Sequence, residues 1–351
     1  MSAAALLTKR DLVTRYDEIL DRGCLGSEDR DRLRRGQDVE GVVIQQSGGS
    51  SGEVPLRLPR TNAEIQWLAT KLLARFHKEH GSFPTRGAFL GGISHTEATQ
   101  RAEVDAPIAI EDFAGDQLDA LDAFDPDVIS MYPSFARAIV AHPTLDLTRL
   151  RSVKLGGETI LPSDLERLRA RFGDLVIVEQ FGSTEMPGIA FRTLGPDKEA
   201  PYDLSTDRYD VDWGGGEGWQ PLVVRDRFPQ RAFPIDGWYD TEDEVFVERG
   251  SVRRVRRRDD PATPWLGDLD GLLRAGFVHV QVLPREKKVL VSGGTASRLT
   301  SLSLAGEELV VCREAPYRLI DSNKMPLWLD TDRVDLSRTY RSDDVEATAD
   351  G

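Results

Sequence analysis

A carboxylate, two hydroxyls and a glycine are crowded into four consecutive residues, Gly182-Ser183-Thr184-Glu185, just after the apolar run Leu175-Val176-Ile177-Val178. A β-branched run of that length predicts a buried strand, so the tetrapeptide is a strand exit. Open α/β sheets bind ligands beyond the carboxyl ends of their strands. Gly182 lets the backbone approach a ligand, Thr184 offers a hydroxyl to a phosphate oxygen, and Glu185 offers a carboxylate to a hydrated magnesium ion. Such a set can hold a nucleotide phosphate. The same residues also describe a strand, a Gly-Ser turn and a solvated acid, and by themselves they do not choose.

Other stretches carry related chemistry. The strand pattern Gly41–Gln46 runs into Ser47-Gly48-Gly49-Ser50-Ser51-Gly52. Consecutive glycines allow N–H groups to converge on an anion while serine hydroxyls add donors, although the loop lacks the Gly-Lys-Ser/Thr ending of a Walker A motif and also reads as a linker. Leu150–Leu155 is another strand pattern, followed by Gly156-Gly157-Glu158 and by a helix beyond Pro162 that carries Leu165, Leu168 and Phe172. Val128–Met131 leads into Tyr132-Pro133-Ser134-Phe135 and a further helix. Tyr132, Phe135, Gly182 and Met186 are the candidate walls of a substrate pocket, with core packing the competing role for the apolar ones.

These turns need elements to position them. Ile65, Leu68, Ala69, Leu72, Leu73 and Phe76 predict an amphipathic helix capped by Thr61 or Asn62 and ending near Gly81. Leu12, Tyr16, Ile19 and Leu20 predict one or two helices on the edge of the domain. Repeated strand, glycine turn and helix predict an open α/β sheet with its ligand loops on one edge. The 351 residues suggest about two domains, here 1–262, then a small α+β module at 263–335 and a polar tail at 336–351. A net charge of −14 argues against nucleic acid or an anionic membrane as partner. Two cysteines, no secretory leader and no long apolar run fit a cytoplasmic protein.

Over roughly residues 40 to 260 these segments resemble the adenylate-forming enzymes, the superfamily of acyl-CoA synthetases, peptide-synthetase adenylation domains and luciferases. SGGSSGEVP is similar to the family's phosphate loop, LGGE to its adenine-contacting segment, EQFGSTE to its most diagnostic motif, and GWYDTED at 237–243 to the segment with the ribose-binding aspartate. The flavour is nearest the phenylacetate-CoA ligase and LuxE-type acyl-protein synthetase branch. The resemblance implies an α/β fold with a large N-terminal domain of open mixed sheets and a small, atypical C-terminal module. It implies that Ser50, Ser51 and Gly52 meet the β- and γ-phosphates, Gly156, Gly157 and Glu158 line the adenine pocket, and Phe181 stacks on adenine. Thr184 would take the α-phosphate, Glu185 magnesium, and Asp243 the ribose, with Arg257 beside the nucleotide.

The implied activity is ATP- and magnesium-dependent activation of a small carboxylic acid as its acyl-adenylate, with release of pyrophosphate. Acyl transfer to coenzyme A, a carrier protein or an amine would follow. The chain departs from the family pattern at several points. Glu53-Val54-Pro55-Leu56 brings an acid and no lysine to the phosphate loop, Glu242 occupies a glycine position, and Arg257-Arg258-Asp259-Asp260 lacks the glycine of the family's hinge. No Gly-Lys-rich segment supplies an adenylation lysine, which leaves Arg298 and Lys324 as candidate cations and a non-catalytic, regulatory nucleotide-binding relative as the alternative function.

Overall fold

A computed structural model describes residues 6–47, 56–91, 108–113, 117–195, 200–258, 260, 262–294, 301–304, 307–320, 324–332, 334 and 339–341. Ser50, Ser51, Gly52, His95, Arg298 and most of the polar tail lie outside them.

The centre of the molecule is a seven-stranded sheet. Strands Ala109–Asp112, Arg86–Leu90, Val128–Met131, Ser152–Gly156 and Val176–Phe181 lie side by side in parallel, and Ala190–Leu194 and Asp203–Leu204 extend the sheet antiparallel. Parallel strands need crossovers, and helices Leu118–Phe124, Pro133–Ala141 and Pro162–Phe172 supply them. These helices bury one face of the sheet, so Ile129, Val153, Leu155 and Ile177 are fully covered. All the central strands therefore end on one edge, as the alternation of strand and helix predicts.

The first glycine loop departs from that plan. Val42–Gln46 does not join the central sheet; it pairs antiparallel with Arg57–Thr61 as a separate two-stranded ribbon. Ser47 closes its mouth, its N donating to Leu56 O at 2.9 Å while its Oγ accepts from Leu56 N at 2.8 Å. Directly after the ribbon, Thr61 caps the helix Asn62–His80 through a capping box with Glu64, and Gly81 ends that helix at φ +68°.

The N-terminal residues form three short helices, Lys9–Thr14, Tyr16–Asp21 and Ser27–Arg34. Leu12, Ile19 and Leu20 are fully buried, so the first two of these helices belong to a core and not to an edge. That core also holds the inward residues of a four-stranded antiparallel sheet containing Tyr209–Asp212, Gly218–Asp226, Tyr239–Glu248 and Ser251–Arg257. Leu7 adds itself to its edge, donating to Trp238 O and accepting from Asp240 N, both at 2.8 Å.

Beyond residue 262, helix Leu266–Arg274 packs on a second four-stranded sheet. Its strands His279–Leu283 and Lys288–Ser292 form a hairpin around Pro284-Arg285-Glu286. This module shares apolar core with the main body: Leu161, 2% exposed, sits among Leu269, Leu273 and Val280. Asp270 accepts from Ser163 N at 2.8 Å, and Arg274 pairs with Glu166. No helix among the described residues is long and apolar enough to cross a membrane.

Candidate active site

The strand Val176–Phe181 ends at Gly182, whose backbone runs so close to the returning chain that a Cβ there would lie 2.6 Å from Gly188 N and 2.7 Å from Met186 O. Only glycine fits. The turn closes locally, with Ser183 N donating to Met186 O and Met186 N donating to Ser183 Oγ, both at 3.1 Å. Arg60, reaching across from the ribbon, then fixes it from below: one guanidinium nitrogen donates to Thr184 O at 2.6 Å and Glu185 O at 2.7 Å, while the other meets Glu64 at 2.8 Å. Glu64 also faces Arg208, which makes a two-pronged pair with Asp226. All four charged side chains are nearly fully buried. The turn carrying Thr184 and Glu185 is thus bolted to an internal ion network by its carbonyls, which leaves their side chains for other work. Nothing in the local sequence signals Arg60.

Glu185 is buried, at 5% exposure, and faces a strand of the antiparallel sheet. Burial pushes the Tyr239 hydroxyl up, with the charges of Glu185 and Glu242 acting in the same direction. Burial also raises the Asp243 carboxyl to about 6, opposed by Arg257 and assisted by Glu242 and Glu185. Arg257 lies 3.5 Å from Asp243, pairs with Glu242 and donates to Thr241 O at 2.7 Å. Asp240, the other aspartate of GWYDTED, is occupied: Arg258 grips both its oxygens at 2.8 and 3.0 Å, and Glu242 N donates to it at 2.9 Å. Asp243 is therefore the aspartate of this segment that shares a field with Glu185. Glu242 stands where a glycine would be easier, at φ +58°, beside the register shift between Pro221 and Val223.

The second glycine turn is equally tight. A Cβ on Gly156 would meet Gln180 O at 2.7 Å, and one on Gly157, at φ +79°, would meet the Tyr132 ring at 2.7 Å. Glu158 does not stand open to a base. Its carboxylate sits at the start of helix Pro133–Ala141, accepting from Ser134 N and Ser134 Oγ at 2.9 Å, and it also accepts from Met325 N at 2.6 Å. Arg318, buried, donates to the same Ser134 hydroxyl at 2.9 Å and lies over the Phe135 ring. The C-terminal module thus reaches the strand exits through Arg318 and Met325.

That contact brings Lys324 to the corner. Its ammonium lies 5.8 Å from the Tyr132 ring centre, and its Cε is 3.4 Å from where a Gly157 Cβ would be. Burial lowers its pKa, Glu158 and Glu185 oppose that shift, and Lys9 and Arg257 add to it. Lys9, from the first helix, is 8% exposed and escaped the sequence reading. The corner so formed sets Lys9, Arg257 and Lys324 against Glu158, Glu185 and Asp243.

Not every candidate faces open space. Met186 is fully buried in the core with Leu7, Ile189 and Tyr239, and Phe135, 3% exposed, stacks on Tyr132 with ring centres 6.2 Å apart. Both serve packing. Their apolar character suited either role, and the crossover helix and N-terminal helices claimed them. Phe181 is half-buried, edge-on to Tyr202 at 6.3 Å. Among the described residues no three His, Cys, Asp or Glu side chains gather as a metal cage. Glu185 by itself matches the way magnesium is held with a nucleotide, through one or two carboxylates, phosphate oxygens and water.

Residues 106–208 match the family model described as AMP-binding enzyme, a span that contains both glycine turns. An anthranilate CoA ligase, AuaEII, solved in complex with anthranoyl-AMP, is 14% identical, with a TM-score of 0.54 over 84% of this chain and 64% of that one. A benzoate CoA ligase from Burkholderia xenovorans LB400 is also 14% identical, with a TM-score of 0.50 over 73% and 59%. The amide bond synthetase McbA from Marinactinospora thermotolerans is 21% identical over 64% and 50%, with a TM-score of 0.46. The chain thus spans between 50% and 64% of the length of these proteins. Comparison with curated proteins gives no match. The fold is that of the adenylate-forming enzymes, and the AMP-binding signature of that superfamily lies across the strand exits that build this corner.

Proposed function

We propose that the protein activates a carboxylic acid with ATP, forming an acyl-adenylate and pyrophosphate, and then passes the acyl group to a thiol or amine. The observation that carries this reading is that Lys324 packs beside the Gly157 turn, with Glu185 within electrostatic reach of both Lys324 and Asp243, three residues drawn from distant stretches of the chain. In the first step a carboxylate oxygen of the acid attacks the α-phosphorus and the bond to the pyrophosphate oxygen breaks. In the second, the acceptor attacks the acyl carbon and AMP leaves.

Each residue has a task suited to its chemistry. Thr184 donates its hydroxyl to an α-phosphate oxygen, and Asp243 accepts from the ribose hydroxyls. Glu185 would hold magnesium, whose charge would offset that of the phosphates. Lys324 is the cation that stabilises charge growing on the α-phosphate and carboxylate oxygens, and Lys9 adds to the same field. Lys324 in this position supports catalysis over a regulatory role without turnover. Gly156 and Gly157 keep the edge low enough for a nucleotide to lie on it, and Phe181 is the ring for the base. Ser50, Ser51 and Gly52 are assigned the outer phosphates by sequence resemblance alone.

Acid-dependent exchange of labelled pyrophosphate into ATP tests the reading. The protein should catalyse it with some member of an acid panel, and Glu185→Gln, which keeps size and removes charge, should lower the rate about a hundredfold or more. Exchange that ignores the acid, or a Glu185→Gln enzyme with unchanged rate and magnesium dependence, contradicts it.

A further inference from the structure

One buried charge takes no part in the site described so far. On the central strand Ser152–Gly156, side chains alternate between faces: Val153 and Leu155 enter the helix-covered core, and Lys154 points to the other side. Across neighbouring strands Lys154 is in register with Ser130 and Val178, and Ser130 with Phe89. Gln180, two residues beyond Val178, is paired with Gly156. Phe89, Ser130 and Lys154 belong to none of the apolar clusters, unlike Ala88, Leu90, Ile129, Met131, Val153 and Leu155, which alternate with them. Helix Asn62–His80 covers the adjacent part of this face, with Arg75 over the Phe191 ring at 5.0 Å and Glu79 accepting from Thr193 at 3.1 Å.

Among the described residues, two polar groups on this patch lack partners. Gln180 Oε1 is buried with no hydrogen bond. Lys154 makes no hydrogen bond or ion pair with a described residue, and no charged neighbour acts on it. Burial alone lowers its pKa to about 8, so it still carries its proton at pH 7. The other buried polar orphan of this row, Asp112, lies three strands away through Phe89 and Ser130, about 14 Å at the usual strand spacing, too far to neutralise it. A half-buried ammonium without a counter-charge is costly, and an incoming anion offsets that cost.

Position says where the anion comes from. Lys154 is two residues before Gly156, about 7 Å back along the strand from the edge where the acid would be activated. A ligand that presents one carboxylate at the edge and extends over this face would bring its far end to the ammonium. We propose that Lys154 selects the substrate by pairing with a second, distal carboxylate, so that the acid activated is a short dicarboxylic acid. This inference rests on the adenylation reading for the role of the first carboxylate. Gln180 Oε1 stands ready to accept a hydrogen bond from the middle of such a ligand.

The test compares matched pairs, glutarate with pentanoate, adipate with hexanoate and terephthalate with benzoate. Binding is followed by calorimetry without ATP, and turnover by pyrophosphate exchange with ATP. At least one diacid should exceed its monoacid by about a hundredfold in kcat/KM, as expected when a buried polar group is otherwise left unpaired. Lys154→Met should reduce that ratio below about tenfold, acting mainly through KM, with a thermal midpoint at or above that of the parent because a buried charge is removed. If Lys154→Met does not fold, Lys154→Gln is read in its place. Monoacids preferred by the parent, or a preference that both variants keep, would overturn the proposal. If no acid supports exchange, the adenylation reading fails, and calorimetry still decides: tighter diacid binding lost in Lys154→Met upholds the anion site, and equal binding of diacid and monoacid overturns it.

Discussion

In the proposed site, Asp243 is the side chain at which stability is traded for binding. Its carboxyl is raised to about 6 in the folded chain, first by burial, against about 3.9 for an unfolded aspartate. Between those values the folded state holds a proton that the unfolded state has released. The stability this group contributes is therefore present below about pH 4 and is lost as pH rises through about 6, a difference of about 3 kcal/mol above that window. Asp243→Asn should raise the thermal midpoint of the free protein at pH 7.5 and leave it nearly unchanged at pH 4. The same change should weaken ATP binding at least about tenfold, because a charged acceptor for the ribose is gone. ATP affinity of the parent should climb as pH passes 6. A variant no more stable at pH 7.5, with undiminished affinity, would remove Asp243 from the site. The neighbouring Glu242, held at φ +58°, is a second local cost in the same segment.

The elements that matter most for the site are those that hold it from outside its own motif. Arg60, on the strand Arg57–Thr61, donates to both carbonyls of Thr184 and Glu185 and pairs with Glu64. Lysine cannot reproduce that fork. Arg60→Lys should therefore lower turnover more than ATP affinity, and Arg60→Ala should cost about 1 to 3 kcal/mol in unfolding free energy through the buried carbonyls it leaves unpaired, Glu64 keeping its contact with Arg208. An Arg60→Lys enzyme with parental kinetics would show that the turn stands without the clamp. The central strands before the glycine turns, the helices that follow them and a cap at Thr61 or Asn62 were legible in the sequence, because periodicity and cap residues are local signals. Sequence reading did not find Arg60, Lys9 or Arg318, whose partners lie far along the chain, as Thr184 does from Arg60 at a separation of 124 residues. It also placed the Val42–Gln46 strand among the sheet exits, since a short strand before a glycine loop has the same local pattern in a ribbon as in a parallel sheet. Tyr132, Phe135 and Met186 could not be divided into wall and core from apolar character alone.

At the scale of the whole molecule, the C-terminal module reaches the strand exits as well as sharing the core. Leu161 lies in its apolar cluster, Arg318 reaches Ser134, and Met325 N reaches Glu158. A chain ended near residue 262 should lose soluble, cooperative unfolding, as Leu161 loses its cluster and Ser163 N loses its acceptor Asp270. A soluble truncated chain with the parental midpoint would contradict that shared core. Lys324→Met keeps the module and should leave ATP affinity nearly intact while slowing adenylation, which separates the module's chemistry from its packing.

The central claim, attack of a substrate carboxylate on the α-phosphorus of ATP, is tested most directly by an isotope. With an accepted acid carrying oxygen-18 in its carboxylate, and an acceptor thiol or amine present, each AMP released should carry one heavy oxygen and the pyrophosphate none. Heavy oxygen in inorganic phosphate with formation of ADP would mean attack at the γ-phosphorus, and unlabelled AMP would mean that water, not the acid, is the nucleophile; either result would contradict the account.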